Sequence, residues 1–297
     1  MRITNKVLSN NMLNNMYQSM WKMSDLQNQV TTGRKVNKPS DDPSASITSL
    51  RMRTKIMQNE QFQKNATEIT AWMNTAEDSL IALGDVMQRA RELAVKGATD
   101  TNDQGALDAI ADEIDQLLQE TEVLANSQVS DRYLFGGTRT TEKTFTLETM
   151  DWSGNDKIMN LEIGEGILTA KNIDGKKIFG ITEDMDESVF ATLQQMSADL
   201  RAGNNQEVGG EILTKLDGHI EVILSSRSEV GARLNRMEMT MNRLDGSEMN
   251  YLKVLSDAED ADLAEVIIRL KEQENVYNAT LSTGARVIQP TLMDFLR

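Results

Sequence analysis

A heptad repeat runs through long stretches of this chain and restricts it to helical folds. Apolar residues from Ile69 to Ala94 are spaced alternately four and three positions apart, the pattern of a helix that packs along one seam. The same spacing occurs from Leu107 to Leu124 and from Ile212 to Leu244, where one additional four-residue step interrupts it. Only three prolines occur in 297 residues, so these windows are uninterrupted. We predict a mainly α fold, an elongated rod or bundle of long antiparallel helices.

The centre of the chain changes to a strand pattern. From about residue 136 to residue 180 glycine, threonine and asparagine become frequent and the helical period is lost. Met159, Leu161 and Ile163 alternate with polar residues, and the sequence Asn-Ile-Asp-Gly at 172–175 predicts a turn before a second strand at Lys177–Phe179. A helix is expected again from 187 to 200. We therefore predict a small β-rich insert between helical segments.

The two ends of the chain are amphipathic and carry opposite charge. Ten Lys and Arg against four Asp and Glu give residues 1–64 a net charge of +6, and five against ten give residues 245–297 a net charge of −5. Opposite charges favour pairing of the two ends. Since short amphipathic helices depend on a partner surface, we predict terminal coiled-coil helices that are disordered in the monomer and fold on assembly. The expected interface residues are Val7, Met12, Met16, Met23, Leu26 and Val30 in the first helix and Leu263, Val266, Leu270, Tyr277, Leu281, Ile288, Leu292 and Phe295 in the last.

A connecting loop is predicted between the first helix and the heptad region. Gly33 is suited to a helix C-terminus, Pro39 lies within the loop, and Asp42 followed by Pro43 is a typical helix start. The resulting domain organisation is an N-terminal assembly helix with its loop (1–43), a first rod part (44–135), the insert (136–185), a second rod part (186–250) and a C-terminal assembly helix (251–297).

Composition argues against several classes of function. Without cysteine there are no disulfides or thiolate metal sites, and a net charge of −15 without a basic aromatic patch argues against a nucleic-acid partner. No run of about 18 apolar residues and no apolar signal core occur, so neither a membrane partner nor a cleaved signal peptide is expected. The single histidine, His219, lies on a heptad seam. We expect no enzyme activity, cofactor or metal, and we interpret Glu259, Asp260 and Asp262 as a solvated helix face.

Several motifs resemble one family of proteins. Residues 32–43, Thr-Gly-Arg-Lys-Val-Asn-Lys-Pro-Ser-Asp-Asp-Pro, resemble the N-terminal signature of flagellin-like proteins. Residues 133–138, Tyr-Leu-Phe-Gly-Gly-Thr, and the ending 286–296, Arg-Val-Ile-Gln-Pro-Thr-Leu-Met-Asp-Phe-Leu, are similar to the hook-associated members of that family. Residues 256–262 and 273–277 agree with the same C-terminal pattern. The resemblance covers roughly residues 1–140 and 185–297.

The resemblance implies a structural role in the bacterial flagellum, in the junction layer between hook and filament on which flagellin polymerises. It implies export of the unfolded chain without a cleaved signal, an extracellular location, and a monomer that assembles with copies of itself. The implied partners are hook-associated protein 1, flagellin and a cytoplasmic export chaperone that binds the C-terminal segment. Residues 88–94, with Arg89 and Leu93, resemble a flagellin segment that innate immune receptors recognise, and we expect a subunit contact there.

Two other interpretations remain open at this point. The chain could be a flagellin, which would form long filaments alone. It could also be a coiled-coil binding module anchored at a surface, which would be a stable homo-oligomer in solution with protease-resistant ends.

Overall fold

The computed structural model describes residues 5–99, 103–182 and 185–288, and the chain divides into two compact units. One unit consists of Met1–Gln58 together with Ser247–Arg297, and the other consists of Asn59–Gly246. Most described residues are helical, which confirms the prediction of a mainly α fold.

The helices occur in two groups along the chain, with all the strands between α3 and α4. They are α1 (Asn5–Thr32), α2 (Pro43–Gly97), α3 (Gln104–Ala125), α4 (Gly175–Phe179), α5 (Val189–Ala202), α6 (Asn205–Glu207), α7 (Leu213–Glu259) and α8 (Leu263–Ile288), and a π-helical segment (Val208–Ile212) directly precedes α7. The strands are β1 (Gln128–Val129), β2 (Arg132–Tyr133), β3 (Phe145–Thr146), β4 (Asp151–Trp152), β5 (Asn160–Gly164) and β6 (Ile167–Ala170).

The predicted heptad seams form the core of the 59–246 unit. Their side chains are buried because each seam faces the neighbouring helices, and each fully buried aliphatic side chain contributes about 1.5–3 kcal/mol. Ion pairs also join the helices outside the core; for example, Arg89 of α2 lies 2.7 Å from Glu113 of α3, and Arg91 of α2 lies 2.6 Å from Asp217 of α7. The buried seam residues include Ile69, Met73, Ala76, Leu80, Leu83, Met87, Ala90 and Ala94 of α2, Leu107, Ile110 and Ile114 of α3, and Leu216, Ile223, Val230 and Met237 of α7.

The strands pair as three antiparallel two-stranded hairpins, of which β1–β2 directly precedes the predicted insert and β3–β4 and β5–β6 lie within it. Strand β5 occupies the predicted alternating segment, and it pairs Asn160 with Ala170 and Leu161 with Thr169. The hairpin is fastened to α2, because the Lys171 ammonium lies 2.5 Å from the Glu68 carboxylate and 4.1 Å from the centre of the Trp72 ring. The predicted β-rich insert is therefore present in the structure.

The strand predicted at Lys177–Phe179 is wrong, since these residues belong to helix α4. The Asp174 side chain accepts hydrogen bonds from the backbone N–H groups of Lys176 and Lys177, which is the geometry of a helix N-cap. Gly180 then ends the helix in the left-handed conformation, with φ of 64°. The capping residues at both ends outweigh the weak strand preference of a five-residue segment.

An aromatic cluster joins the insert to α4 and α5. Phe145 stacks on Phe190 with 3.6 Å between ring centres, and Phe135 contacts Phe179 edge-on at 5.3 Å. A side chain at Gly175 would collide with the carbonyl oxygen of Phe135, so glycine is required there. The Leu-Phe-Gly-Gly motif is thus part of the core that holds the insert on the helices.

Candidate assembly interface

Helices α1 and α8 pack against each other in antiparallel orientation. Ser19 of α1 contacts Gln273 of α8, while Met12, closer to the start of α1, contacts Gly284, closer to the end of α8. The same direction continues beyond both helices, where Arg34 forms an antiparallel bridge with Asp260. The two ends of the chain therefore run along each other in a single register.

One face of α1 is turned towards α8. The predicted residues Met12, Met16, Met23, Leu26 and Val30 are all partly buried and lie on this face, with Ser19 between them, whereas Val7 is 47% exposed. The opposite side of α1 leaves large apolar groups in solvent, among them Leu13, Tyr17, Met20 and Trp21, the last of them 75% exposed. This helix thus has one face packed against α8 and further large apolar side chains that remain exposed.

The facing side of α8 repeats at four- and three-residue intervals. Val266, Leu270, Gln273, Tyr277, Thr280 and Gly284 are buried or partly buried and make up this side. Of the predicted residues, Val266, Leu270 and Tyr277 lie on it, while Leu263 and Leu281 are 46% and 43% exposed. Ile288 is the last residue of α8, and the side chain of Ile288, like Leu292 and Phe295, lies outside the described part of the structure.

Small and polar residues set the closest contacts of this interface. The Gln273 side-chain amide donates a hydrogen bond of 2.6 Å to the hydroxyl of Ser19, which is 6% exposed. A Cβ atom at Gly284 would lie 2.6 Å from Cε and 3.2 Å from Sδ of Met12, so the absence of a side chain lets the helices approach. Sequence reasoning missed these residues because it searched the seam for apolar side chains only.

The loop after α1 is tied to the connection between α7 and α8. Gly33 has φ of +70° and its carbonyl oxygen accepts a hydrogen bond of 2.9 Å from the N–H of Ala261. The N–H of Lys35 donates to the carbonyl oxygen of Glu259 at 2.7 Å, and its ammonium donates to the carbonyl oxygen of Asp257 at 2.7 Å. These bonds close the chain between residues more than two hundred positions apart.

The same loop positions the start of α2. The Asp42 carboxylate caps the helix by accepting hydrogen bonds from the N–H groups of Ser44 and Ala45, and Pro43 is the first helical residue. Asp41 accepts hydrogen bonds from two N–H groups inside the loop, and Pro39 lines the surface beside Glu259. Each of the predicted loop residues therefore has a structural role at a turn or cap.

A buried carboxylate, Glu259, lies at the base of the paired ends, and for this residue the prediction of a solvated helix face is wrong, whereas Asp260 and Asp262 are exposed. Glu259 is only 7% exposed. Arg53 of α2 binds both of its oxygens, at 3.1 Å and 2.8 Å, Ser49 donates a hydrogen bond to it, and Arg34 lies 3.5 Å away. We call Arg34, Ser49, Arg53 and Glu259 the Glu259 clasp. Asp262, which follows Glu259 in the connection to α8, caps that helix by accepting hydrogen bonds from the N–H groups of Ala264 and Glu265.

The electrostatics of the clasp keep Glu259 ionised. Burial by itself would raise the pKa of this carboxyl. The hydrogen bonds from Arg53 and Ser49, with the charges of Arg53 and Arg34, outweigh burial and hold the pKa of Glu259 below its ordinary value. The same hydrogen bonding raises the pKa of Arg53. At neutral pH, Glu259 is therefore negatively charged and Arg53 is positively charged.

Residues Arg89 and Leu93 differ in their environment. Leu93 is 2% exposed and belongs to the core, whereas Arg89 is half exposed and forms ion pairs with Glu92 at 2.9 Å and Glu113 at 2.7 Å. Leu93 is therefore not accessible on the surface of this unit. A contact surface at this place would consist of Arg89 and its acidic neighbours.

His219 lies partly buried beside the core of the 59–246 unit. Its Nε2 lies 3.2 Å from the hydroxyl of Thr192, which itself donates to the carbonyl oxygen of Ser188, so the imidazole is the donor. Burial, together with the nearby charge of Lys215, lowers the pKa of His219 to about 4.

Among the described residues no group of three or more His, Cys, Asp or Glu side chains could hold a metal ion. Over the same ranges, no helix has the length and apolarity required to cross a bilayer.

Known proteins match this sequence and fold. Residues 3–140 match the bacterial flagellin N-terminal helical region. The chain is 28% identical over 276 residues to flagellin of Bacillus subtilis, covering 89% of this chain and 88% of that protein. It is 24% identical over 304 residues to flagellar hook-associated protein 3 of Salmonella typhimurium, covering 95% and 96%. A putative flagellar hook-associated protein from Vibrio parahaemolyticus shares the fold with a TM-score of 0.68 at 20% identity, over 74% of this chain and 100% of that one.

The paired ends, the heptad helices and these matches point to one class of protein: the chain is similar in sequence and in fold to flagellin-like structural proteins. The resemblance predicted from the motifs is confirmed. Within this class, flagellar hook-associated protein 3 is a relative that the chain matches over almost the whole length of both sequences.

Proposed function

We propose that this chain is a structural subunit of the bacterial flagellum and forms the junction layer between hook and filament on which flagellin polymerises. The observation that carries the proposal is the alignment with hook-associated protein 3, which extends through 95% of the chain and includes both paired ends. The chain accordingly acts by assembly and has no catalytic role.

The interface supports a mechanism in which neighbouring copies complete the paired ends. Trp21 and Tyr17 on α1, and Ile268 and Val276 on α8, expose 53–75% of their surface. A pair of helices of 28 and 26 residues that buries one narrow face is marginally stable alone. Adjacent copies would cover the outer faces and supply the missing apolar burial. We therefore propose a monomer with frayed ends that become ordered in the layer.

The partners and location follow from this role. Hook-associated protein 1 would lie on the hook side of the layer and flagellin on the filament side. Before export a cytoplasmic chaperone would cover the apolar C-terminal segment, and the chain would reach the extracellular flagellum unfolded and without loss of a signal peptide. Exposed apolar side chains on α8, such as Ile267 and Ile268, give the chaperone a surface to bind.

Filament growth on isolated hooks tests the junction role. Hooks that carry hook-associated protein 1 are incubated with purified chain and then with flagellin monomers, and filament length is measured by electron microscopy. We expect filaments only after the chain is added. Tyr277→Asp, which places a charge on the face of α8 that contacts α1, should abolish growth, while the matched variant Asn278→Asp on the exposed side should support it. Equal growth without the chain would contradict the proposal.

Limited proteolysis with mass mapping tests the state of the monomer. We expect rapid loss of about 40 residues at each end and a resistant centre, because unpaired helices expose their backbone to protease. Hydrogen exchange at the amides of α1 and α8 should be fast in dilute solution and slow after assembly. Ends that are protected in the isolated chain would contradict assembly-coupled folding.

The alternative is a filament subunit, and the 28% identity to flagellin over 89% of the chain favours it specifically. A flagellin forms long filaments alone at high concentration. Negative-stain images of the purified chain therefore separate the two roles, because a junction protein should remain dispersed until hooks are present.

A further inference from the structure

The heptad spacing of α8 creates an ambiguity in how the ends pair. The face that contacts α1 repeats at Val266, Leu270, Gln273, Tyr277 and Thr280, so a shift of seven residues presents the same kind of surface again. Repetitive apolar seams specify a packing face better than they specify a register. The contacts of Ser19 with Gln273 and of Met12 with Gly284 favour the observed register, and a further contact at the base of the pair would strengthen this selection.

The Glu259 clasp lies where such a selection can be made. It joins the loop after α1 to the end of α7, directly before α8 begins at Leu263. The backbone bonds from Gly33 to Ala261 and from Lys35 to Glu259 lie beside it. A slip of α1 along α8 by one heptad is about 10 Å, and the clasp and these bonds would have to break to allow it.

The energetics of the clasp favour selection over bulk stability. A buried ion pair repays most of its desolvation cost but adds little net free energy, whereas leaving one partner buried alone is costly. Arg53 satisfies both oxygens of Glu259, so the correct arrangement has no unpaired charge. Any arrangement that separates them leaves the carboxylate without its partner.

We propose that Glu259 is a positioning residue that, through Arg53 and Ser49, fixes the register in which the first and last helices pair. This deepens the proposed function, on which its biological purpose rests, but the register is a property of a single chain. The clasp holds the base of the pair closed, and α1 and α8 then pair outward from it towards the chain termini. Once the contact between Arg53 and Glu259 closes, between positions 206 residues apart, every later contact of the pair is a local one.

Cross-linking in the full chain tests the proposal, since the protein contains no cysteine of its own. One variant carries Ser19→Cys with Gln273→Cys, which touch in the observed register. A second carries Ser19→Cys with Thr280→Cys, one heptad further along the same face of α8. A short bismaleimide added to dilute protein traps the paired states that the frayed ends visit, and the ratio of in-register to slipped cross-linking is measured by mass spectrometry.

Glu259→Gln should lower this ratio roughly tenfold, since a hydrogen bond to a charged group contributes about 1.5–3 kcal/mol. The matched control Glu272→Gln removes the same charge from an exposed position on α8 and should leave the ratio unchanged. Arg53→Gln should match Glu259→Gln, and the double variant should lose no more than either single one because both act through one contact.

Three results would overturn the proposal. The ratio could stay unchanged in Glu259→Gln, or Glu272→Gln could lower it equally, which would indicate a general charge effect. If both cross-links disappeared in Glu259→Gln, the clasp would provide stability and not register. Because the measurement concerns one chain in dilute solution, it remains valid even if the chain fails to support filament growth on hooks.

Discussion

The structure predicts that acid weakens the 59–246 unit through His219. The fold keeps this imidazole neutral, with its pKa lowered to about 4 from an ordinary value of 6.5. Because the folded pKa lies below the unfolded one, the unfolded chain binds more protons as the pH falls below 6.5. The stabilisation by neutral His219 is therefore complete above pH 6.5 and is lost as the pH falls from 6.5 towards 4.

The size of the effect follows from the two pKa values. Each pH unit between them is worth about 1.4 kcal/mol, so lowering the pH from 7 to 5 should reduce the free energy of unfolding by about 2 kcal/mol. The measurement is urea denaturation at a series of pH values between 5 and 7, followed by tryptophan fluorescence. A Trp21→Phe background leaves Trp72 and Trp152, which both lie in this unit.

The matched variant is His219→Gln, which keeps a side-chain donor for Thr192 and has no titrating group. Carboxylates that titrate near pH 5 affect both proteins alike, so the difference between the two curves isolates His219. We expect the pH dependence to flatten by about 2 kcal/mol over this range. If the variant and the parent lost equal stability between pH 7 and pH 5, the assignment of a buried neutral imidazole would be refuted.

Two further substitutions test the packing inside each of the two units, one substitution for each unit. Gly284→Leu should weaken the pairing of α1 and α8, because displacing Met12 costs about 1–3 kcal/mol and the better helix propensity of leucine offsets this only in part. Hydrogen exchange in α1 of the assembled protein measures this effect, and Ser282→Leu at an exposed position of α8 should have little effect. Lys171→Met should lower the free energy of unfolding of the 59–246 unit by about 1–2 kcal/mol through loss of its ion pair and ring contact. The exposed Lys177→Met is its control, and equal losses in the two lysine variants by urea denaturation would contradict the proposed anchoring.

Helices of the core could be predicted because their seams encode burial directly. Every apolar seam position from Ile69 to Ala94 is at most 1% exposed, and one periodic signal over four heptads is enough to identify both the helix and its inner face. The short strands β1 to β4 have two residues each, too few for an alternating pattern to appear. Helix α4 depends on its caps at Asp174 and Gly180, which a search for strand alternation does not weigh.

The interface was predicted only in part, since its decisive contacts are polar or small. Apolar periodicity identified Met12, Met16 and Val266, but it gave no indication of the hydrogen bond between Ser19 and Gln273. The burial of Glu259 depends on partners more than two hundred residues away, so the local acidic run around it indicated a solvated face. Charges that are paired over such distances carry no local sequence signal.

The composition of this interface suits a protein that has to remain unfolded before it assembles. Large apolar cores at the ends would fold early and would stay folded during export, whereas half-buried methionines and a single narrow seam leave the pair marginal. A marginally stable helix pair needs an additional contact that selects the correct register, because weak repetitive contacts permit several registers of similar energy. An ion pair whose carboxylate is buried, such as Arg53 with Glu259, adds little net stability but penalises arrangements that leave the carboxylate without its partner. The terminal helices can therefore be marginally stable while the clasp at their base still specifies one register. Substituting a clasp residue should change the register of α1 against α8 more than it changes the free energy of unfolding.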